Sequence, residues 1–215
     1  GDISNGVSIR GGSLDQNLML YESAPVFNPT HLFGLFSVFT PDVISGVNIY
    51  QANIPAKYGG RIASVVDIKV KSPYTDKFKL EGGVGVISSR LSLSTPIIKD
   101  KLMLLAGGRI GLKNTKANFK DSTVKLLYLP NENNQLTYTH FYSQDFYQLD
   151  LISSIENIVS SSNQYDFGTS NHTLRWLHSF DNETNLVGTF VHSNYLPQNL
   201  FPEIESTNVI RFESQ

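Results

Sequence analysis

The sequence contains no cysteine. This excludes disulfide frameworks, thiolate metal sites and cysteine nucleophiles, and leaves the compartment open. Charged residues make up only 17% of the chain, against roughly 25% in an average globular protein, a shortage that suits a surface not wholly bathed in water. Lysine and arginine form no cluster or stripe, so nucleic acid is not an expected partner. The longest wholly apolar run covers residues 102–106, far short of the ~20 residues of a membrane-spanning helix. That shortfall says nothing against spanning strands, whose hydropathy alternates and gives no long run.

What is present points to β-structure. The 10 tyrosines, 13 phenylalanines and 16 glycines favour sheets, tight turns and interfacial belts. The pattern changes near Pro73, and we place a boundary at residues 72–76. Before it, short apolar segments are broken by Gly, Pro and Asn. This front part reads as small α+β, with strands over Val7-Ser8-Ile9-Arg10, 18–21, 47–51 and 64–71. A long aromatic loop over 25–39 carries Phe27, Phe33, Phe36 and Phe39. Thr40-Pro41-Asp42 reads as a helix start, with Thr40 as cap, Pro41 at the first position and Asp42 at the positive end of the dipole. Gly46 keeps that helix short.

The rear part alternates apolar and polar residues at a period of two, the pattern of strands with two different faces. Seven strands are expected, over 79–87, 90–97, 101–112, 121–129, 134–143, 169–180 and 184–195. Their connections alternate in length. Residues 98–100, 130–133 and 181–183 are short turns, while 113–120 and 144–166 are longer. Outer-membrane barrels show that rhythm, with short periplasmic turns and longer outer loops. A soluble β-sandwich also alternates, with Trp176, Tyr142 and Tyr147 as carbohydrate-stacking candidates, and alternation alone does not separate the two.

The front part separates them by resemblance. Val7-Ser8-Ile9-Arg10-Gly11-Gly12, then Asp15-Gln16-Asn17-Leu18, then the stretch from Ala24-Pro25-Val26-Phe27-Asn28-Pro29 to His31-Leu32-Phe33-Gly34 follow one another. Phe39-Thr40-Pro41-Asp42-Val43-Ile44, Ile54-Pro55-Ala56-Lys57-Tyr58-Gly59-Gly60-Arg61 and Ser64-Val65-Val66-Asp67-Ile68 come next. These ordered blocks resemble the plug of TonB-dependent outer-membrane receptors, particularly the large Bacteroidetes-type ones. Looser likeness continues through Ile87-Ser88-Ser89-Arg90-Leu91 and Thr95-Pro96-Ile97.

The resemblance implies a mainly β fold in which residues 1–73 are the C-terminal part of a plug and 74–215 the first strands of a transmembrane β-barrel. The family barrel has ~22 strands, so a chain with seven is expected to be a piece of a longer polypeptide. The implied activity is energised import of a scarce ligand (siderophore, vitamin, glycan or peptide) at the cell outer membrane, not enzyme catalysis. The implied partners are outer-membrane lipid, a TonB-type energy-coupling protein acting through a segment absent here, and in some receptors a surface lipoprotein. A receptor-like part of a secretion or adhesion assembly is the other class compatible with the same blocks. The sequence departs from the family at Glu22-Ser23, where Asp-Gly is usual, and at Asn48, in a strand that usually carries an acid.

Several residues are candidate site residues on this basis. Gln16, Phe27, Asn28, His31 and Phe33 lie on segments that in the family form the plug apex and touch captured ligand; equally, the phenylalanines can simply pack the inner fold. Arg10 and Arg61 are candidates for pairing with carboxylates of the barrel wall, or for solvated positions in a wet lumen. Gly11, Gly12, Gly59 and Gly60 read as backbone devices, and no Lys-Ser/Thr follows them to make a phosphate loop. The histidines His31, His140, His172, His178 and His192 are scattered, with no metal spacing, and no cofactor is expected.

Overall fold

In a computed structural model, residues 17–31, 34–50, 64–111, 117–150, 162–181, 183–199 and 207–214 are described. The front part forms β1 (Asn17–Tyr21), β2 (Ala24–Pro25), β3 (Thr30–His31), β4 (Phe36–Ser37), β5 (Ile44–Tyr50) and β6 (Ser64–Val70). The rear part forms β7 (Lys79–Val84), β8 (Ser88–Ile98), β9 (Leu102–Gly111), β10 (Ala117–Asn131), β11 (Asn134–Asp150), β12 (Ser162–Ser179), β13 (Asn185–Asn199) and β14 (Thr207–Ser214). The expected strands over 7–10 and the segment carrying Arg10, Gly11, Gly12 and Gln16 lie outside the described residues. So do Phe33, Gly59, Gly60 and Arg61.

Strands β7 to β14 pair antiparallel in sequence order, forming one eight-stranded sheet. Its strands exceed expectation in number by one and in length by much more. The stretch expected as a loop over 144–166 is strand over 144–150 and 162–166, because β11 runs on to Asp150 and β12 begins at Ser162. Gln144, Asp145, Phe146 and Tyr147 continue the two-faced alternation, with an aromatic on each face. Strands of 15 to 18 residues in β10 to β13 exceed the ~9–11 needed to cross a bilayer.

The polarity of this sheet is the reverse of a soluble one. One face carries Ser92, Thr123, Asn171 and Ser193 in a single cross-strand row with Phe141, and all are buried. The opposite face carries Leu91, Ile110, Leu174 and Trp176, and each of these is more than 40% exposed. In a soluble sandwich the apolar face would be the covered one. Among the described residues, no helix is long and apolar enough to cross a membrane.

The polar face is covered by the front part. Strands β2-β1-β6-β5 form a small sheet in which β1 and β6 run parallel and the other pairs antiparallel. The expected helix at Thr40 is a single 3-10 turn over Pro41–Val43. Pro41 and Asp42 stand in its first turn as expected, but Thr40 makes no side-chain cap. The β-branched pair Val43-Ile44 leads directly into β5, and the Thr40 hydroxyl is spent on the large sheet. Among the described residues no α-helix occurs, and the front part is strands and short 3-10 turns within a mainly β fold.

One apolar cluster spans both layers: Tyr21, Phe39, Val43 and Ile68 from the front, Leu105 and Phe141 from the large sheet. The Tyr21 ring stacks on Phe39 at 5.2 Å and meets Phe141 at 4.6 Å; such pairs add about 0.5–1.5 kcal/mol each beyond burial. At Gly107 the layers touch so closely that any Cβ would strike the Val43 side chain.

Candidate functional site

The contact between the layers is the most elaborated region of the molecule, and His31 stands at its centre. The side chain of His31 is fully buried. Its Nδ1 lies 2.8 Å from Asp145 and its Nε2 3.2 Å from Asp121. Alternation places both aspartates on the inward face of β10 and β11, so the large sheet presents two carboxylates to one imidazole. A doubly protonated ring donates from both nitrogens and so satisfies both carboxylates at once. Burial alone would lower the His31 pKa; the hydrogen bonds and charges of Asp121 and Asp145 outweigh it, and the pKa is raised.

The remaining oxygens are also engaged. Thr40 donates its hydroxyl to Asp121, and Arg109 Nε donates to the same carboxylate at 2.8 Å. Arg109 also donates to the Ser37 carbonyl and lies 5.2 Å from the Phe119 ring centre. The Tyr147 hydroxyl donates to Asp145 at 2.8 Å. Two cations, His31 and Arg109, thus balance two anions, and the Phe119 ring stacks on His31 at 4.5 Å. Buried charges persist only when paired and hydrogen-bonded in this way.

Further links tie the layers together. Glu22 and Ser23 form the two-residue turn between β1 and β2 with φ of 49° and 73°, a left-handed pair usually filled by Asn-Gly or Asp-Gly. Glu22 is retained there because its carboxylate is used twice. It accepts from the Val70 N–H at 2.6 Å and from Lys125 Nζ of β10 at 3.1 Å. Arg90 of β8 pairs with Asp42 at 3.3 Å. The Tyr21 phenol lies 2.7 Å from the Thr123 hydroxyl, and burial raises its pKa. Asn171 donates to the Pro25 carbonyl at 3.1 Å, and the Ser193 hydroxyl lies 2.9 Å from the same oxygen.

Of the expected ligand-contact residues, Phe27 is 39% exposed and stacks on Tyr195 at 5.7 Å, Asn28 is half-buried, and His31 is enclosed with no lone pair to offer. Asn48 sits on the exposed strand β5 opposite Asp67. Of the residues that link the layers, Asp121, Asp145, Arg109 and Lys125 were not singled out by sequence reasoning, and Glu22 only as a departure from the family pattern. The signal at Asp121, Arg109 and Lys125 was charge on the polar side of an alternating strand. His140, His172 and His192 form a row across three strands on the outward face, with ring centres 4.6 and 5.9 Å apart. Among the described residues, no group of three or more His, Cys, Asp or Glu is placed to hold a metal ion. A doubly donating imidazolium between two carboxylates fastens one layer to another; it supplies neither a base nor a nucleophile.

No family model matches the sequence, and no curated protein matches it. Solved structures do. The siderophore receptor PirA from Pseudomonas aeruginosa superposes with a TM-score of 0.66 and 15% identity, over 96% of this chain and 37% of that one. The alcaligin outer-membrane receptor FauA from Bordetella pertussis gives 0.70 and 15%, over 98% of this chain and 36% of that one. A variant of the ferric enterobactin receptor PfeA from Pseudomonas aeruginosa gives 0.63 and 11%, over 96% and 38%. This chain therefore spans little more than a third of the receptors it matches. Over that span it has the fold of TonB-dependent receptors, a partial β-barrel with the front part against its inward face.

Proposed function

We propose that the chain is part of a TonB-dependent receptor of the outer membrane, of the Bacteroidetes type, that imports a scarce ligand with energy from the inner membrane. In this proposal residues 1–73 are the rear of the plug and 74–215 the opening of the barrel. The observation that carries it is the inverted polarity of the eight-stranded sheet, apolar outside and polar inside, with the front part fastened to the polar face. Lipid then meets the outward face. A TonB-type energy-coupling protein and a surface lipoprotein are the candidate partners. Phe27, Asn28 and His31, with Gln16 and Phe33, remain the candidate ligand contacts. His31 would reach a ligand only after the plug parts from Asp121 and Asp145. Arg10 and Arg61 remain candidate wall contacts.

Ferric siderophores are the class to test first, since three aligned structures are siderophore receptors. The test uses the full-length protein in its own cells. The protein is expected in the outer-membrane fraction, with heat-modifiable electrophoretic migration. Deleting its gene is expected to abolish uptake of one labelled ligand, and an uncoupler to abolish it in the wild type. A protein that is soluble without detergent contradicts the proposal.

A further inference from the structure

The outward face is not a uniform apolar belt. Across β8, β9 and β10 it is hollowed into a groove of about 560 Å³, within the ~300–1,000 Å³ typical of small-molecule sites. Small residues make its floor. Ala106 and Gly108 alternate with Gly107, whose missing Cβ faces Val43 of the inner layer, so Ala106 and Gly108 face out. Leu91 and Ile110 flank the floor, both more than half exposed. At its far end stand Tyr142 and Lys120, with the ammonium 5.5 Å from the tyrosine ring centre. Lys120 makes no ion pair among the described residues. The outward carboxylate Asp166 is held by the Gln144 amide at 2.9 and 3.0 Å.

The height of the groove follows from the register. Short turns of outer-membrane barrels lie at the periplasmic boundary, and strands climb about 3.3 Å per residue at a tilt of roughly 40°. Ala106 and Ile110 are six and ten residues beyond Asp100 of the β8–β9 turn, which puts them about 15 and 25 Å above it. Lys120 is twelve residues before Glu132 of the β10–β11 turn, about 30 Å up. The hydrocarbon core is about 30 Å thick. The groove thus lies in the outer half of the core, and the lysine stands at the outer headgroups.

Taking the outer-membrane receptor proposed above as given, we propose that this groove is a specific lipid site. It seats one acyl chain of the phosphorylated glycolipid of the outer leaflet, with Lys120 on the phosphate. An apolar trough ending in a cation with no carboxylate partner among the described residues matches a chain ending in an anion, and a smooth belt would not hold one lipid over its neighbours. Lys120 can supply a charge-assisted hydrogen bond to phosphate, one of the stronger kinds.

The test is native mass spectrometry of the full-length receptor released from its own membrane in mild detergent. Wild type is expected to carry a bound phosphorylated glycolipid. Lys120→Glu, and Ala106→Phe to fill the trough, are each expected to cut that adduct roughly tenfold, the size of a lost charge-assisted bond. Lys120 is exposed, so Lys120→Glu carries the test even where Ala106→Phe does not fold. No adduct, an adduct unchanged in both variants, or retention of glycerophospholipid alone overturns the inference. Heat-modifiable migration of each sample separates these outcomes from failure of the barrel itself.

Discussion

The two faces of the large sheet share the same strands, the same hydrogen bonds and the same register, yet differ in almost every side-chain property. The outward face is apolar and exposed, with Leu174 and Trp176 each more than 40% accessible. The inward face is mostly polar and buried, with Ser193 meeting no solvent and Asp145 only 1% exposed. Polarity in this molecule does not track exposure to water. It tracks which solvent lies on each side. The front part supplies hydrogen bonds and countercharges for the inward face, and in the proposed receptor lipid covers the outward one.

The sharpest way to break that contrast is at the inward charges. Asp121→Ala strips partners from His31, Arg109 and Thr40 together and leaves buried cations uncompensated. We expect a loss of about 3–5 kcal/mol, read as a lowered urea midpoint for the full-length protein refolded in detergent. Next comes the outward face. Leu126→Arg sits about 15 Å above the β10–β11 turn by the same strand geometry. It should cost about 2–4 kcal/mol in lipid, whereas Thr189→Arg, inward and half-buried on β13, should cost less than half of that.

The pH dependence sharpens the comparison further. His31 has a raised pKa in the folded state. Its stabilisation is therefore full below the unfolded value of about 6.5 and is lost as pH rises through the folded value. The urea midpoint of wild type should fall as pH rises above about 6.5, and that component should be missing in His31→Gln. The smallest effect is expected at the β1–β2 turn. Ser23→Gly relieves a left-handed backbone at φ 73° and should stabilise by about 0.5 kcal/mol in the same titration.

Much of the large sheet was legible. Alternation marked seven of its strands, and the short connections around Asp100, Asn133 and Asp181 fell where turn residues cluster. The ends of β11 and β12 beyond Ser143 were not, because Gln144 and Asp145 put polar residues on both faces and read as a loop when lipid and lumen are unassigned. The 3-10 turn was legible as a start but not as a stop, since Val43 and Ile44 favour strand over helix. The His31 clamp was invisible. Its partners lie 90 and 114 residues away, and nothing local to His31 distinguishes a buried imidazolium from an exposed one. What the sequence held was part of the clue, the charges Asp121 and Lys125 on the polar side of an alternating strand.

The most direct test of the two-faced sheet uses the absence of native cysteine in this chain. Single cysteines at Leu136, Thr137, Tyr138, Thr139, His140 and Phe141 on β11 carry a fluorescent label in the full-length receptor, reconstituted with spin-labelled lipids. Quenching should alternate, strong at Leu136, Tyr138 and His140 and weak at Thr137, Thr139 and Phe141. Uniform quenching, or the opposite phase, would contradict the assignment of lipid to the apolar face and of the front part to the polar one.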